Sequence, residues 1–234
     1  MLLIGSAHVV NVDAPIRAAL EGRVLDGVAV ELDAERAASV LSEEPSGPSG
    51  RSGAPLFVRL WGLIQKRLGA EIGGGAAGAE MRVAARFARE QRLPLFLIDD
   101  PIRETMRRLV GAMSLRERVS LIAGGFLGLV IPSRVVERQI DAYTDSSEEF
   151  LEEVRHAYPQ VARVLIDERN EHMADRLSEL RRRGYGRVAA IVGDAHVPGL
   201  AQALRRRGVP VETLTLGALR AATGPSADPA PAPG

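Results

Sequence analysis

The side chains best suited to chemistry are two histidines near opposite ends of the chain, each at the end of an apolar run and three residues beyond a glycine. The first run is Leu2-Leu3-Ile4-Gly5-Ser6-Ala7-His8; the second is Val188-Ala189-Ala190-Ile191-Val192-Gly193-Asp194-Ala195-His196. An apolar run followed by Gly-x-x-His fits a buried strand, a tight turn and an imidazole delivered to the carboxyl end of that strand. Two neutral imidazoles and one carboxylate would form a three-ligand site for a divalent ion, with a position left open to water. Glu31 is the leading carboxylate. Its run, Val28-Ala29-Val30-Glu31-Leu32, follows the first histidine unit directly, and an acid among apolar neighbours needs a partner or a metal if buried. The plainer reading of Glu31 is a strand end pointing to solvent.

As a string the motif is weak, since 24 glycines and 4 histidines in 234 residues give about 0.4 occurrences by chance. Its surroundings carry more. After His8 come an amphipathic segment from about Asp13 to Leu20 and then the Glu31 run. After His196 come a segment from Gly199 to Arg207, a stop at Gly208 and the run Val209 to Leu214. Both units read as strand, Gly-x-x-His, helix, strand. His156 and His172 lie in charged helical segments with no paired motif and read as surface residues. Arg169 and Asn170, in Glu168-Arg169-Asn170-Glu171, read by position alone as the solvated face of a long helix. Arg103, Arg107 and Arg108 carry the same reading, although arginines just after a strand end could orient a carboxylate or a peptide.

The elements that must position these residues are strands separated by helices. Asp33 is placed to cap a helix from Ala34 to Leu41, Ala77 to Gln91 reads as a helix, and Pro94 to Ile98 reads as a short buried strand ending in Asp99-Asp100-Pro101. Helical spacing recurs from Leu56 to Leu68, and Gly73-Gly74-Gly75 reads as a connector and not as a phosphate cradle. The middle is helical: Leu115 to about Val130, Pro132 to Tyr143, Ser147 to Tyr158, and a long helix from Pro159 to Arg183. The expected fold is α/β, with a mainly parallel central sheet flanked by helices. A single domain covers 1–220, with a flexible Ser/Gly/Pro-rich loop at 42–55 and a mostly helical insertion at 100–183. An Ala/Pro/Gly-rich disordered tail follows at 221–234.

Composition narrows the function classes. The chain is 46% hydrophobic with zero formal net charge, so bulk electrostatics give no reason to expect a nucleic-acid partner. There is no cysteine, which removes disulfides, thiolate nucleophiles and Cys-ligated metals. Any metal must be held by His and carboxylate. Lys66 is the only lysine, which leaves Schiff-base chemistry one residue in a basic helix. The stretch Val119 to Ile131, within the longest uncharged run, is shorter than the roughly 20 residues that span a bilayer. No signal peptide is visible, and the expectation is a soluble, cytoplasmic protein without an integral membrane segment.

Six blocks in order resemble the TraB family of TraB, PrgY and GumN proteins. They are Gly-Ser-Ala-His-Val at 5–9, Val-Ala-Val-Glu-Leu-Asp at 28–33, Gly-Ala-Glu-Met at 78–81, Leu-Ile-Asp at 97–99 with Thr105 and Arg107-Arg108, Glu-Arg-Asn with Met173-Ala174, and Val-Gly-Asp-Ala-His-Val-Pro-Gly at 192–199. The group includes pheromone-shutdown proteins of bacterial conjugation, and is more distantly similar to Tiki proteases and to the erythromycin-esterase and ChaN-like superfamily. The resemblance implies an α/β fold, with His8, Glu31 and His196 at the positions for metal or catalysis. It implies Glu80, Arg103, Arg107, Arg169 and Asn170 as site neighbours. The chain departs from the family pattern at Asp99-Asp100-Pro101, where relatives often have Asp-Arg, and the C-terminal membrane segments that many relatives carry are not expected from this sequence.

The leading expectation is therefore a metal-dependent hydrolase acting on a peptide or a small molecule, with Mn, Co or Zn held by His8, Glu31 and His196. A peptide-binding or sequestering protein without turnover is the alternative, and a haem or other cofactor binder is the weaker one. The apolar helices at Leu56 to Leu68 and Leu115 to Val130 could dock a second copy in a homodimer or complete the domain core.

Overall fold

The apolar runs build the sheet. The computed structural model describes residues 1–6, 13–41, 78–119, 152, 155–215 and 217–219. Strands β1 (Leu2–Ser6), β2 (Gly27–Val30), β3 (Leu95–Leu97), β4 (Val188–Gly193) and β5 (Glu212–Leu214) form one sheet in the order β3-β2-β4-β1-β5. Every pairing is parallel, as expected for strands joined through helices. The central strands read as unbroken apolar runs because both of their faces are covered.

Alternate residues serve opposite faces. Leu2, Ile4, Val28, Val30, Ala189 and Ile191 pack with α1 (Asp13–Leu20), α2 (Ala34–Val40) and α3 (Ala79–Glu90). Leu3, Ala29, Ala190 and Val192 pack on the other side with α6 (Glu168–Arg182) and α7 (Val197–Arg206). The helix predicted from Pro159 to Arg183 is interrupted: α5 (Pro159–Ala162) passes through a π-helical segment, Arg163–Asp167, into α6. A third cluster, Leu109, Met113 and Val164, joins α4 (Ile102–Ala112) to that π segment.

Helices α6 and α7 end alike. Gly184 and Gly208 adopt positive φ, and the amides of Tyr185 and Val209 return to the carbonyls of Leu180 and Leu204. This glycine-dependent cap stops each helix and turns the chain back toward the sheet. The loop at 42–55, the helix at 56–68, the Gly73-Gly74-Gly75 connector, the segments at 120–151 and the tail at 221–234 lie outside the described residues. At the start of the Leu115 to Val130 segment, Leu115 and Val119 are exposed. Among the described residues, no helix is long and apolar enough to cross a membrane.

Candidate functional site

The two strands that carry the Gly-x-x-His motifs are neighbours at the centre of the sheet. In the β1–β4 register Gly5 faces Val192 and Ser6 faces Gly193, so both chains leave the sheet at the same end. A Cβ on Gly5 would collide with the Asp194 carboxylate, so a larger residue there would push Asp194 away from the first motif. The strand before Glu31 neighbours β4 and not β1, although it follows β1 in sequence. The Glu31 amide donates to the carbonyl of Ile191 at 3.1 Å, which sets the carboxylate beside the His196 turn. Asp99 follows β3 one position further out, its amide donating to the Leu32 carbonyl at 3.3 Å. Glu31, Asp99 and His196 thus come from the carboxyl ends of three adjacent parallel strands, where open α/β sheets place ligands.

One guanidinium joins them. Arg169, in the first turn of α6, donates from Nη2 to Glu31 Oε1 and, at 2.8 Å, to Asp99 Oδ2. Its Nε donates to Asp99 Oδ1 at 3.0 Å, and its Nη1 lies 3.2 Å from His196 Nε2. The second oxygen of Glu31 accepts from the Gly193 amide at 2.7 Å. His196 Nδ1 is 2.8 Å from the side-chain oxygen of Asn170. An amide oxygen can only accept, so Nδ1 carries the proton and Nε2 presents a lone pair toward Arg169. Gly199 makes room for this arrangement, because a Cβ there would collide with Asn170 Nδ2.

A further layer holds the first. Arg36 donates at 2.6 Å both to Asp99 Oδ2 and to the Glu31 carbonyl. Asp33 caps α2 as predicted, accepting from the amides of Glu35 and Arg36, and its other oxygen accepts from Ile102 at the start of α4. One carboxylate therefore meets the positive ends of two helices. The described cluster holds three carboxylates, Glu31, Asp33 and Asp99, against two guanidiniums, Arg36 and Arg169.

Charge states follow from these neighbours. Burial alone would raise the pKa of Glu31, but His196, Arg169, the Gly193 amide and Arg36 outweigh it and hold the group at about 2. Burial pushes the His196 imidazole below its ordinary value; Glu31 and Asp99 oppose that shift, while Arg169 and Arg36 add to it. The imidazole is neutral at pH 7, so there Arg169 and the Gly193 amide keep Glu31 ionised. Burial disfavours charge on Arg169 too, yet Glu31 and Asp99 more than compensate and raise its pKa.

The remaining candidates are spread more widely. Arg103 and Arg107 have side chains 72% and 77% exposed and pair with Glu35 and Glu104, so they stand outside the buried cluster. Glu80 is buried in the first turn of α3, the helix that packs on the opposite face of the sheet from α6. His8 lies outside the described residues. Position on a helix is a poor guide at Arg169 and Asn170: both are inward, with Asn170 4% exposed and the Arg169 side chain 14%. His172 is no plain surface residue either, because its Nδ1 lies 3.0 Å from Asp100 and that carboxylate also receives Arg108. Asp99, Arg36 and Asp33 are not among the site residues read from the sequence, although Asp33 and Asp99 end two of the blocks that carry the family resemblance.

Among the described residues no three His, Asp or Glu side chains form a metal-binding group. The described donors nevertheless suit a cation. Glu31 Oε1 and His196 Nε2 are 3.5 Å apart, and two ligands of one tetrahedral ion stand about 3.4 Å apart at bonds of about 2.1 Å. Both lone pairs face the guanidinium of Arg169.

Sheet and site together define an α/β protein with a buried ionic centre at the carboxyl ends of parallel strands. The chain belongs to the TraB/PrgY/gumN family, whose sequence pattern matches residues 1–213 and agrees with the ordered blocks read from the sequence. It is also similar to the uncharacterized protein MJ1365 of Methanocaldococcus jannaschii, at 30% identity over 215 residues, covering 87% of this chain and 53% of that protein. The chain thus spans about half the length of this relative.

Proposed function

We propose that the chain is a metal-dependent hydrolase acting on an amide bond of a peptide. The observation that carries this reading is the pair of lone pairs on Glu31 and His196, 3.5 Å apart and turned toward one positive group. The peptide substrate is the class implied by the resemblance to proteases. Glu31 and His196 would hold the ion, with His8 as the third ligand expected from the first motif. A divalent ion such as Mn, Co or Zn supplies a polarised carbonyl and a water of lowered pKa when bound.

The chain's own residues do the rest. Asn170 keeps the proton on Nδ1 of His196 and so keeps Nε2 available. The Gly193 amide fixes one oxygen of Glu31, and Oε1, which accepts from Arg169, is the oxygen that would bind a ligand or accept a proton from water. Arg169, held along one edge by both oxygens of Asp99, is a donor suited to the negative oxygen that develops during amide cleavage. The buried setting strengthens each of these interactions.

The test is turnover of a peptide mixture by metal-stripped protein before and after addition of Mn, Co or Zn, read by mass spectrometry. Metal-dependent product that disappears in Glu31→Gln is the expected outcome. Peptide capture that survives chelation and Glu31→Ala, with no product formed, would replace hydrolysis with sequestration.

A further inference from the structure

Arg169 occupies the place that the reading above gives to an ion, and the way it is held suggests how the site is regulated. Its Nη1 and Nη2 face the His196 lone pair and Glu31 Oε1, the two groups assigned to the ion. Those acceptors are buried, at 4% and 7% exposure, so neither can be left without a cation or a donor at low cost. The guanidinium also has an anchor of its own. Asp99 grips it at Nε and Nη2, and Asp99 is in turn held by Arg36. Contacts to Glu31 and His196 can therefore be exchanged while those to Asp99 persist.

We propose that Arg169 is a resident cation that closes the ion site of the metal-free chain, so that ion uptake must displace the guanidinium from Glu31 and His196 while Asp99 retains it. This rests on the metal-dependent reading and deepens it. The resident cation keeps the buried carboxylate and imidazole satisfied without metal. It also sets a threshold, because the affinity for an ion is reduced by the fraction of chains in which Arg169 has moved aside. A displaced conformer populated at about 1–10% weakens apparent binding by about 10- to 100-fold. A ligand of single charge gains little over the guanidinium it would replace, so the device favours divalent ions.

The experiment is calorimetric titration of metal-stripped full chain with Mn²⁺ alone, comparing the unaltered protein with Arg169→Met and with Arg169→Met combined with Glu31→Gln. Expected are Mn²⁺ binding at least about tenfold tighter in Arg169→Met than in the unaltered chain, and loss of that gain in the double variant. Measurable binding by the unaltered chain with equal or weaker binding by Arg169→Met overturns the resident cation and leaves the metal reading standing. No binding by either protein overturns the metal reading itself, and this inference with it. If Arg169→Met does not fold, the Nη–H resonances of Arg169 in the unaltered, ¹⁵N-labelled protein decide instead, because these face His196 and Glu31. They should shift on saturation with Zn²⁺ while the Nε–H keeps its hydrogen bond to Asp99, and Nη–H resonances that stay unmoved at saturation overturn the proposal.

Discussion

At Asn170 a single amide decides which nitrogen of His196 is free. With its oxygen on Nδ1 and its Nδ2 against Gly199, the side chain can neither rotate nor be replaced by a shorter one without releasing the imidazole. Groups that orient a ligating histidine typically contribute about 10- to 100-fold in metal affinity or activity. Asn170→Ala is expected to lose that amount of Mn²⁺ affinity, measured by titration, with the single Nδ1–H tautomer lost in ¹⁵N spectra of the ring. Unchanged affinity would show that Asn170 does not position His196. Gly199→Ala should reproduce the defect from the other side. The added methyl meets the Asn170 amide, and overpacking of this kind costs about 1–3 kcal/mol. Thermal denaturation measures that loss, and titration measures the accompanying loss of affinity.

Among the helices, Glu117 ties two starts together. Its Oε2 accepts from the Ser114 amide and hydroxyl while Ser114 Oγ accepts from the Glu117 amide, a reciprocal cap within Ser-x-x-Glu. Its Oε1 accepts from the Gln160 amide in the first turn of α5, which leads through the π segment to Arg169. Burial pushes the Glu117 carboxyl up, but the amides of Ser114 and Gln160 and the Ser114 hydroxyl outweigh it and lower its pKa below the ordinary 4.5. A carboxyl more acidic in the folded than in the unfolded state contributes its full stability above the unfolded value and loses it as pH falls through the folded one. Glu117→Gln should therefore be less stable than the unaltered chain at pH 7. The gap should narrow as pH falls through the ordinary carboxyl value of 4.5 and below it, as followed by urea midpoints. A gap that stays constant over this range would mean that the carboxylate charge is not what binds the two helices. The π segment belongs to the same scale. A five-residue stretch of wider turn sits between the Glu117 cap and Arg169, and π segments of this kind recur at functional sites.

For the molecule as a whole, β4 is the member that organises the rest. It lies between β1 and β2, contributes Ile191 to one core and Ala190 and Val192 to the other, and delivers Gly193 and His196 to the site. Ile191 is fully buried, whereas Val24 is 70% exposed at the opposite end of the sheet. Ile191→Ala should cost about 2–5 kcal/mol in urea denaturation, and Val24→Ala within about 0.5 kcal/mol of nothing. Similar losses at both positions would contradict the assignment of β4 to the centre. The Gly-x-x-His strands lie side by side because each is flanked by helices on both faces, which allows a parallel pair to form between segments separated by most of the chain.

Much of this was legible before any coordinates. Unbroken apolar runs at Leu2 to Ile4, Val28 to Val30 and Val188 to Val192 read as strands covered on both faces, with Glu31 directly beyond one and His196 a turn beyond another, although the sequence left Glu31 open between the site and solvent. Asp33 was readable because capping is local chemistry, complete within three residues; the reciprocal Ser114–Glu117 cap is equally local but was not read from the sequence. Arg169 is marked as a site neighbour by the family resemblance alone, because its local pattern points the other way. In Glu168-Arg169-Asn170-Glu171 nothing local separates a solvated face from a buried one, and composition favours solvent. Only the packing of α6 against β4 and α7, with Asp99 and Glu31 waiting beneath it, makes burial of a guanidinium favourable. The sequence by itself determined the parallel α/β class, the strand ends and the residues that leave them, since hydrophobic periodicity and capping act over a few residues. The tertiary structure alone decided that β2 sits beside β4 and that Asn170 chooses the tautomer of His196. It alone put a cation of the protein's own between Glu31 and His196, because those outcomes depend on partners that are distant in the chain and meet only when the helices close over the sheet.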